Sequence, residues 1–469
     1  MARTSKVVSL SCLALALLAW LTHSYSAAKD MPAGPEVSSA GLLQVSNHSV
    51  RSEPTKLHVN SQRLQGTLEK ISEFGRTPEG GVTRLGYSDT ELSAREYVAG
   101  LMKQAGLEVR TDAAGNLFGR RAGSADLAVL LFGSHIDSVL SGGRFDGAVG
   151  SLAAIEVINA LREAGVKTRH PLQVVIWMNE EGNHFGISTM GSGIAAGLLG
   201  PEILARKDDQ GQSVADWLRR YGHDPAQLAD ARIARGALAA YLELHIEQGP
   251  NLEEARIPIG VVQGIVGLKR WRCVVAGFAN HAGTTPMDRR RDALASAARE
   301  VLAVRDVVRG ESGRQVGTVG YLKVTPGVVN VIPGRVEFPI ELRDLDEGKI
   351  DRMWERIQEK VKQIDAQEKV ETSCTAIDDI MPARTDPTMQ SAIREAAKSA
   401  GLATLDLPSG AVHDAQQMAK LTPFGMIFIP SHDGISHSPK ELSSWQDVTN
   451  GAEVLYRSVL LADEELDRK

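Results

Sequence analysis

Five short segments carry the residue types that hold divalent cations and move protons. Gly133-Ser134-His135-Ile136-Asp137-Ser138 places an imidazole and a carboxylate two positions apart. In extended chain such side chains face the same way, so Asp137 can accept one ring proton of His135 and aim the other nitrogen outward. Gly142-Gly143-Arg144-Phe145-Asp146-Gly147 surrounds one carboxylate with glycines, which frees the backbone to bring it close to a partner. Asp146 equally suits the N-cap of a following helix. Asn179-Glu180-Glu181-Gly182 sets two carboxylates side by side. They repel, and one is pushed to protonate unless cations compensate. A dinuclear metal site would let one ligate and the other act as base, although a solvated charge pair is the plainer account of these two alone. In Leu242-Glu243-Leu244-His245-Ile246-Glu247-Gln248-Gly249, alternation puts His245 on a polar face with Glu243 and Glu247. Ser431-His432-Asp433-Gly434-Ile435-Ser436-His437-Ser438-Pro439 offers two histidines in a Gly/Ser loop, and spacing does not choose between them. Oxygen and imidazole donors without thiolates suit zinc, manganese or cobalt. Two such ions about 3.5–4 Å apart across a bridging carboxylate would generate hydroxide at neutral pH.

Strands and helices must position these motifs. Short apolar runs predict buried strands at 127–132, 172–178 and 423–429, each ending just before a motif, and a further strand lies at 242–249. The carboxyl ends of parallel strands are where α/β proteins form ligand sites. Helical spacing appears at 61–74, 93–105, 147–164, 389–400 and 447–461. Alternating strands and helices imply an α/β fold with a mainly parallel sheet. The rhythm changes at 270–276, which reads as a strand. A helix follows at 288–308, opened by Arg289-Arg290-Arg291. Then come strands at 315–324 and 334–342, a helix at 349–364 and a strand at 370–377. That order is the ferredoxin-like unit, inserted into the larger fold.

A length of 469 residues exceeds what one core usually organises, so two domains are expected. The net charge of −6 and the lack of a basic stripe argue against nucleic-acid binding. Arg3 and Lys6 precede an apolar run over 7–21, and Ser24, Ser26, Ala27 and Ala28 follow. This is the order of a secretory signal peptide, and the run is short against the ~20 residues of a membrane span. No twin-arginine pair is present, and Cys12 inside the run argues against a lipid anchor. Cleavage would leave Cys273 and Cys374, whose spacing excludes a thiolate zinc site. An oxidising compartment permits a disulfide between them, and two buried free thiols fit as well. Residues 27–56, rich in Ser, Ala, Gly and Pro, read as linker, and Asn47-His48-Ser49 is a formal sequon.

Taken together, the five motifs resemble the amidohydrolase branch of the dinuclear-zinc aminoacylase/carboxypeptidase superfamily. That branch includes N-carbamoyl-L-amino-acid hydrolase, zinc-type β-ureidopropionase, and allantoate and ureidoglycolate amidohydrolases. The resemblance runs from about Ser61 to the end and keeps all five motifs in order. It implies a catalytic domain over 61–264 and 379–469, interrupted by a dimerisation or lid domain at 265–378. A signal peptide at 1–28 and a linker at 29–60 would precede them. It implies two divalent ions per chain, zinc first, with manganese or cobalt as alternatives. His135 and His245 would hold one ion, Glu181 and His437 the other, and Asp146 would bridge. Asp137 would stand behind His135, and Glu180 would be the general base. In Gly277-Phe278-Ala279-Asn280-His281-Ala282-Gly283-Thr284-Thr285-Pro286, His281 resembles a histidine that reaches into the partner subunit's site. Arg270, Asn330 and Arg343 match contacts to the substrate carboxylate and ureido group, and Gln248 a residue lining that pocket. From the residues alone, Arg343 could pair with Asp344 or Asp346, and His281 could hydrogen-bond its own turn.

The implied reaction is metal-dependent hydrolysis of a linear ureido or amide C–N bond in a small carboxylate. An N-carbamoyl-L-amino acid comes first and allantoate or ureidoglycolate next. A dipeptidase or aminoacylase is the alternative within the superfamily, and an inactive exported binding protein the non-enzymatic one. A homodimer is implied; the N-terminal signal, and not the resemblance, adds export to a periplasm or secretory route, without a stable membrane anchor once it is cleaved. Two departures flank the site: His184 stands where the family has arginine, and Val412 in Ser409-Gly410-Ala411-Val412-His413-Asp414-Ala415 where glycine is usual.

Overall fold

The computed structural model describes residues 58–466. The expected signal peptide, the Asn47 sequon and nearly all of the linker lie outside them. Among the described residues no helix is long and apolar enough to cross a membrane.

Nine strands form the larger sheet. Its path runs Glu108–Thr111, Leu117–Arg121, Leu172–Trp177, Val129–His135, Leu238–Ile246, Phe424–Ile429, Ile259–Ile265 and Ala383–Arg384, and Thr404–Ser409 joins beside Ile259–Ile265. The four central strands, from Leu172–Trp177 to Phe424–Ile429, are mutually parallel. Antiparallel pairs lie toward both edges. The central runs are apolar because both faces are covered. Phe132, Val174, Leu242 and Ile427 pack against the helices Ala148–Glu163 and Trp445–Glu465 on one side. Leu131, Val175, Tyr241 and Phe428 fill the other.

This double burial extends to the polar face read at 242–249. Glu243, His245 and Glu247 are 0%, 1% and 8% exposed, so the alternation marks an interior polar face and not a wet one. Each acid there has partners. Glu243 accepts from the Ser134 hydroxyl (2.7 Å) and the Ala415 amide (3.1 Å), and Glu247 from the amides of Asn251 and Leu252. Because the four central strands run the same way, His135, the turn after Trp177, His245 and the loop after Ile429 emerge at one sheet edge.

The second sheet is antiparallel, in the order Glu371–Ile380, Gly267–Ala276, Arg335–Asp344 and Val316–Thr318, with Lys323–Thr325 also on Arg335–Asp344. Helices Ala293–Arg309 and Glu347–Glu368 cover one face. The expected ferredoxin-like order is present, with two corrections. The strand at 315–324 is two pieces whose registers on Arg335–Asp344 differ by one residue, and Tyr321 and Leu322, between the pieces, are exposed. The arginine triplet does not open a helix: Asp292 caps the helix two residues later, accepting from the amides of Leu294 and Ala295. Arg290 instead donates to the carbonyls of Ala282 and Thr285, bracing the turn that carries His281.

Cys273 and Cys374 face each other in register on adjacent strands and form a disulfide, with Cα atoms 4.1 Å apart, so the free-thiol reading is overturned. The bond closes a loop of 101 residues. Its removal in a Cys273→Ala/Cys374→Ala variant is expected to destabilise the small sheet by about 2–4 kcal/mol. Denaturant unfolding followed by tryptophan fluorescence reads this directly, because Trp271 and Trp354 stack 3.9 Å apart on that sheet. Titration of thiols beyond Cys12 in the unreduced, unfolded chain would contradict the bond.

Candidate metal centre

Asp146 is the centre of the cluster. It does not cap the helix it precedes. The N-cap is Gly147, at φ 60°, with no side-chain cap bond. The Asp146 carboxylate turns inward and is 6% exposed as a residue. Its Oδ1 lies 3.5 Å from His135 Nε2 and 3.1 Å from His245 Nε2, and its Oδ2 lies 3.2 Å from His437 Nε2. Glu181 Oε2 is 3.5 Å from the same His437 nitrogen. The ligand atoms thus form two groups sharing one carboxylate: His135, Asp146 and His245, and Asp146, Glu181 and His437. All five residues expected from the sequence meet here.

Backbone contacts aim the histidines. His135 Nδ1 is 3.1 Å from the Asp137 carbonyl, and His245 Nδ1 is 2.9 Å from the Ile246 carbonyl. A carbonyl only accepts, so each Nδ1 carries the proton and each Nε2 presents its lone pair to the cluster. Asp137, whose Oδ1 lies 3.5 Å from His135 Nδ1 as expected of an acid behind that ring, does more. Its carbonyl orients His135, while its carboxylate accepts the amides of Glu180 and Glu181, both at 3.1 Å, and holds the acid pair in place. The chain turns into that pair through Asn179 at φ 54°. Gln248 and His437 also have left-handed backbones, at φ 59° and 54°. Positive φ is uncommon outside glycine, and such backbones gather at functional sites. Both reach Asp146, the Gln248 amide donating to Oδ2 at 2.9 Å. Gln248, expected to line a substrate pocket, thus also holds the shared carboxylate.

The electrostatics fit cations. Burial and the nearby Asp146 push Glu181 up to about 8. Burial, reinforced by Glu181 and Asp414, likewise holds Glu180 well above the usual carboxylate range. Against the cost of its own burial, the three imidazoles hold Asp146 well below it. Glu181 Oε1 is buried with no hydrogen-bond partner, which is costly for a polar atom unless something else satisfies it. Oxygen and imidazole donors facing one another, with an unsatisfied carboxylate oxygen among them, suit zinc, manganese or cobalt.

The remaining expected residues separate from this cluster. His432 lies outside this cluster and pairs with Glu253 at 2.7 Å on the surface. His281 is exposed, accepts the Gly283 amide in its own turn at 3.0 Å, and has no recorded bond to the metal cluster of its own chain. Arg270 and Arg343 share Glu341, not Asp344 or Asp346, and Arg343 also donates to the Gly410 carbonyl at 2.8 Å, tying the small sheet to the large one. The Asn330 carbonyl accepts the Ala282 amide, placing Asn330 beside the His281 turn. His184 lies against Trp217, with ring centroids 6.2 Å apart; nothing in the structure explains Val412. Buried His413, 4.5 Å from the His245 ring, and Ser436, whose hydroxyl lies 3.3 Å from Asp146 Oδ2, were not legible as site residues. A serine beside a histidine carries no signal of its own.

A Cβ at Gly147 would fall 2.4 Å from His135 Nε2. Gly147→Ala is therefore expected to displace that ring. In wild type stripped with a chelator and retitrated, zinc at a hundredfold excess over Kd should add about 2.7 kcal/mol of stability. In Gly147→Ala most of that gain should vanish, as read by thermal unfolding with and without zinc.

Residues 131–461 match the model of peptidase family M20/M25/M40. The chain is 44% identical over 402 residues to the N-carbamoyl-L-amino acid amidohydrolase of Geobacillus stearothermophilus, covering 86% of this chain and 98% of that one. It is 39% identical over 422 residues to the ureidoglycolate hydrolase of Arabidopsis thaliana, covering 88% of each. The crystal structure of a hydantoinase/carbamoylase-family amidase from Burkholderia multivorans superposes with a TM-score of 0.82 at 39% identity, over 87% of this chain and 98% of that one. Matched by the family model over most of its length and aligned with most of the length of these relatives, the chain belongs to peptidase family M20/M25/M40.

Proposed function

We propose that this protein hydrolyses a linear ureido C–N bond in a small carboxylate, an N-carbamoyl-L-amino acid first. The observation that carries the reading is the shared Asp146 carboxylate, flanked by two ligand groups beside the buried acid Glu180. The identity to the Geobacillus enzyme supports the choice of substrate. His135 and His245 would hold one divalent ion, Glu181 and His437 a second, and Asp146 both. When bound, such ions polarise the scissile carbonyl and acidify water. Glu180 takes the attacking water's proton and returns it to the leaving nitrogen as the C–N bond breaks. Asp137 keeps Glu180 in place through its amide. Arg343 uses Nε on Glu341 and Nη1 on Gly410, and neither bond engages Nη2, which would meet the substrate carboxylate. Arg270 keeps Glu341 aligned, and Asn330 and Gln248 supply the donors and acceptors a ureido group needs. The exposed His281 turn, braced by Arg290, makes sense in a homodimer, where the partner subunit's His281 would stabilise the developing oxyanion. The disulfide and the N-terminal apolar run support export to an oxidising compartment; sequencing the mature N-terminus tests cleavage near residue 28.

Glu180→Gln should lower kcat by about 10²–10⁴ with zinc content unchanged; near-normal turnover would refute the assignment. A panel of N-carbamoyl-L-amino acids, allantoate, ureidoglycolate and dipeptides, each with zinc, manganese and cobalt, should give the highest kcat/KM on the first class. A preference for dipeptides would refute the ureido reading. Glu180→Gln and His281→Ala chains, each inactive alone, should regain about one quarter of wild-type activity when mixed and allowed to exchange, because half the dimers then carry one intact site. No recovery would refute the shared site.

A further inference from the structure

Glu441 lies four residues beyond His437 and is 3% exposed. Its Oε1 accepts the backbone amides of Phe145 at 2.9 Å and Asp146 at 3.1 Å. Its Oε2 accepts the Ser436 hydroxyl at 2.8 Å. One buried carboxylate therefore binds the backbone that carries the shared ligand and the residue just before His437. That link matters more for His437 than for the other histidines. His135 and His245 have Nδ1 fixed by carbonyls, whereas the recorded contacts of His437 all reach Nε2. Its imidazole is half exposed and its backbone left-handed, so its aim must come from the loop behind it. The fit is close on the other side as well. A Cβ built on Gly143 would fall 1.9 Å from the Glu441 carboxyl carbon, so a glycine is what admits the carboxylate.

We propose that Glu441, seated over Gly143, is a positioning residue of the metal centre that sets the reach between Asp146 and His437 and so the affinity of the ion shared by Asp146, Glu181 and His437. The inference rests on the reading of the cluster as a two-ion site. It concerns no contact with substrate. Buried partners that orient ligands typically change metal affinity about 10–100-fold when lost.

The experiment measures zinc bound per chain in graded zinc–chelator buffers, and thermal unfolding with and without zinc, for wild type, Glu441→Ala, Glu441→Gln, Gly143→Ala and the Gly143→Ala/Glu441→Ala double variant. Wild type is expected to take up two zinc ions. In Glu441→Ala one of the two ions should lose about 10–100-fold in affinity, the other should change little, and the rise in Tm on loading should shrink. Glu441→Gln, which keeps an oxygen for the two amides, should lose less. Gly143→Ala should reproduce the loss by displacing the carboxylate, and the double variant should be no worse than Glu441→Ala, since the added methyl then has room. A Tm that falls equally with and without zinc, at unchanged affinities, would reduce Glu441 to structural support and overturn the proposal. So would losses that add in the double variant. If wild type binds no zinc, the two-ion reading itself fails; if wild type and Glu441→Ala bind two ions alike, only the Glu441 assignment fails. Gly143→Ala and Glu441→Gln keep the test open should Glu441→Ala not fold.

Discussion

Everything at the site follows from one buried carboxylate facing three imidazole nitrogens. Asp146 offers one oxygen to His135 and His245 and the other to His437. Burying an anion is expensive unless it is paired, and here the pairing partners are the candidate metal ligands themselves. The rest of the fold supplies them. Two parallel strands end at His135 and near His245, a third at the turn into Glu181, a fourth at the loop reaching His437. A sheet whose central strands were not parallel could not bring four such ends to one carboxylate.

The same burial explains how acids crowd the region without disrupting it. Asp137 is fully buried, yet it accepts two backbone amides. Glu243, beneath His245, accepts a hydroxyl and an amide. Hydrogen bonds to the charged form are what make a buried carboxylate tolerable. Glu180 and Glu181 differ: the recorded hydrogen bonds reach their backbones through Asp137, and burial pushes both carboxyls upward.

The five motifs were legible as candidates because imidazoles and carboxylates gather in short segments, three of them just after apolar strands, but the ligand set came only with the family resemblance. The choice between His432 and His437 was not legible, since one loop carries both and only its path decides. The edge strands Glu108–Thr111 and Leu117–Arg121 escaped notice because they are short and rich in charge. Glu441 escaped for a different reason: its partners are backbone amides almost 300 residues away, and amides leave no mark in sequence. The substrate-side arginines were legible only by resemblance. Their pairing with Glu341 depends on strand register, in which Arg270 stands opposite Glu341.

The central claim is that Asp146 bridges two ions. A crystal of the zinc-loaded protein, measured on both sides of the zinc absorption edge, tests it most directly. Two anomalous peaks about 3.5–4 Å apart are predicted, one beside His135 and His245 and one beside Glu181 and His437, each within bonding distance of a different Asp146 oxygen. A single peak, or two with Asp146 bound to only one of them, would contradict the account.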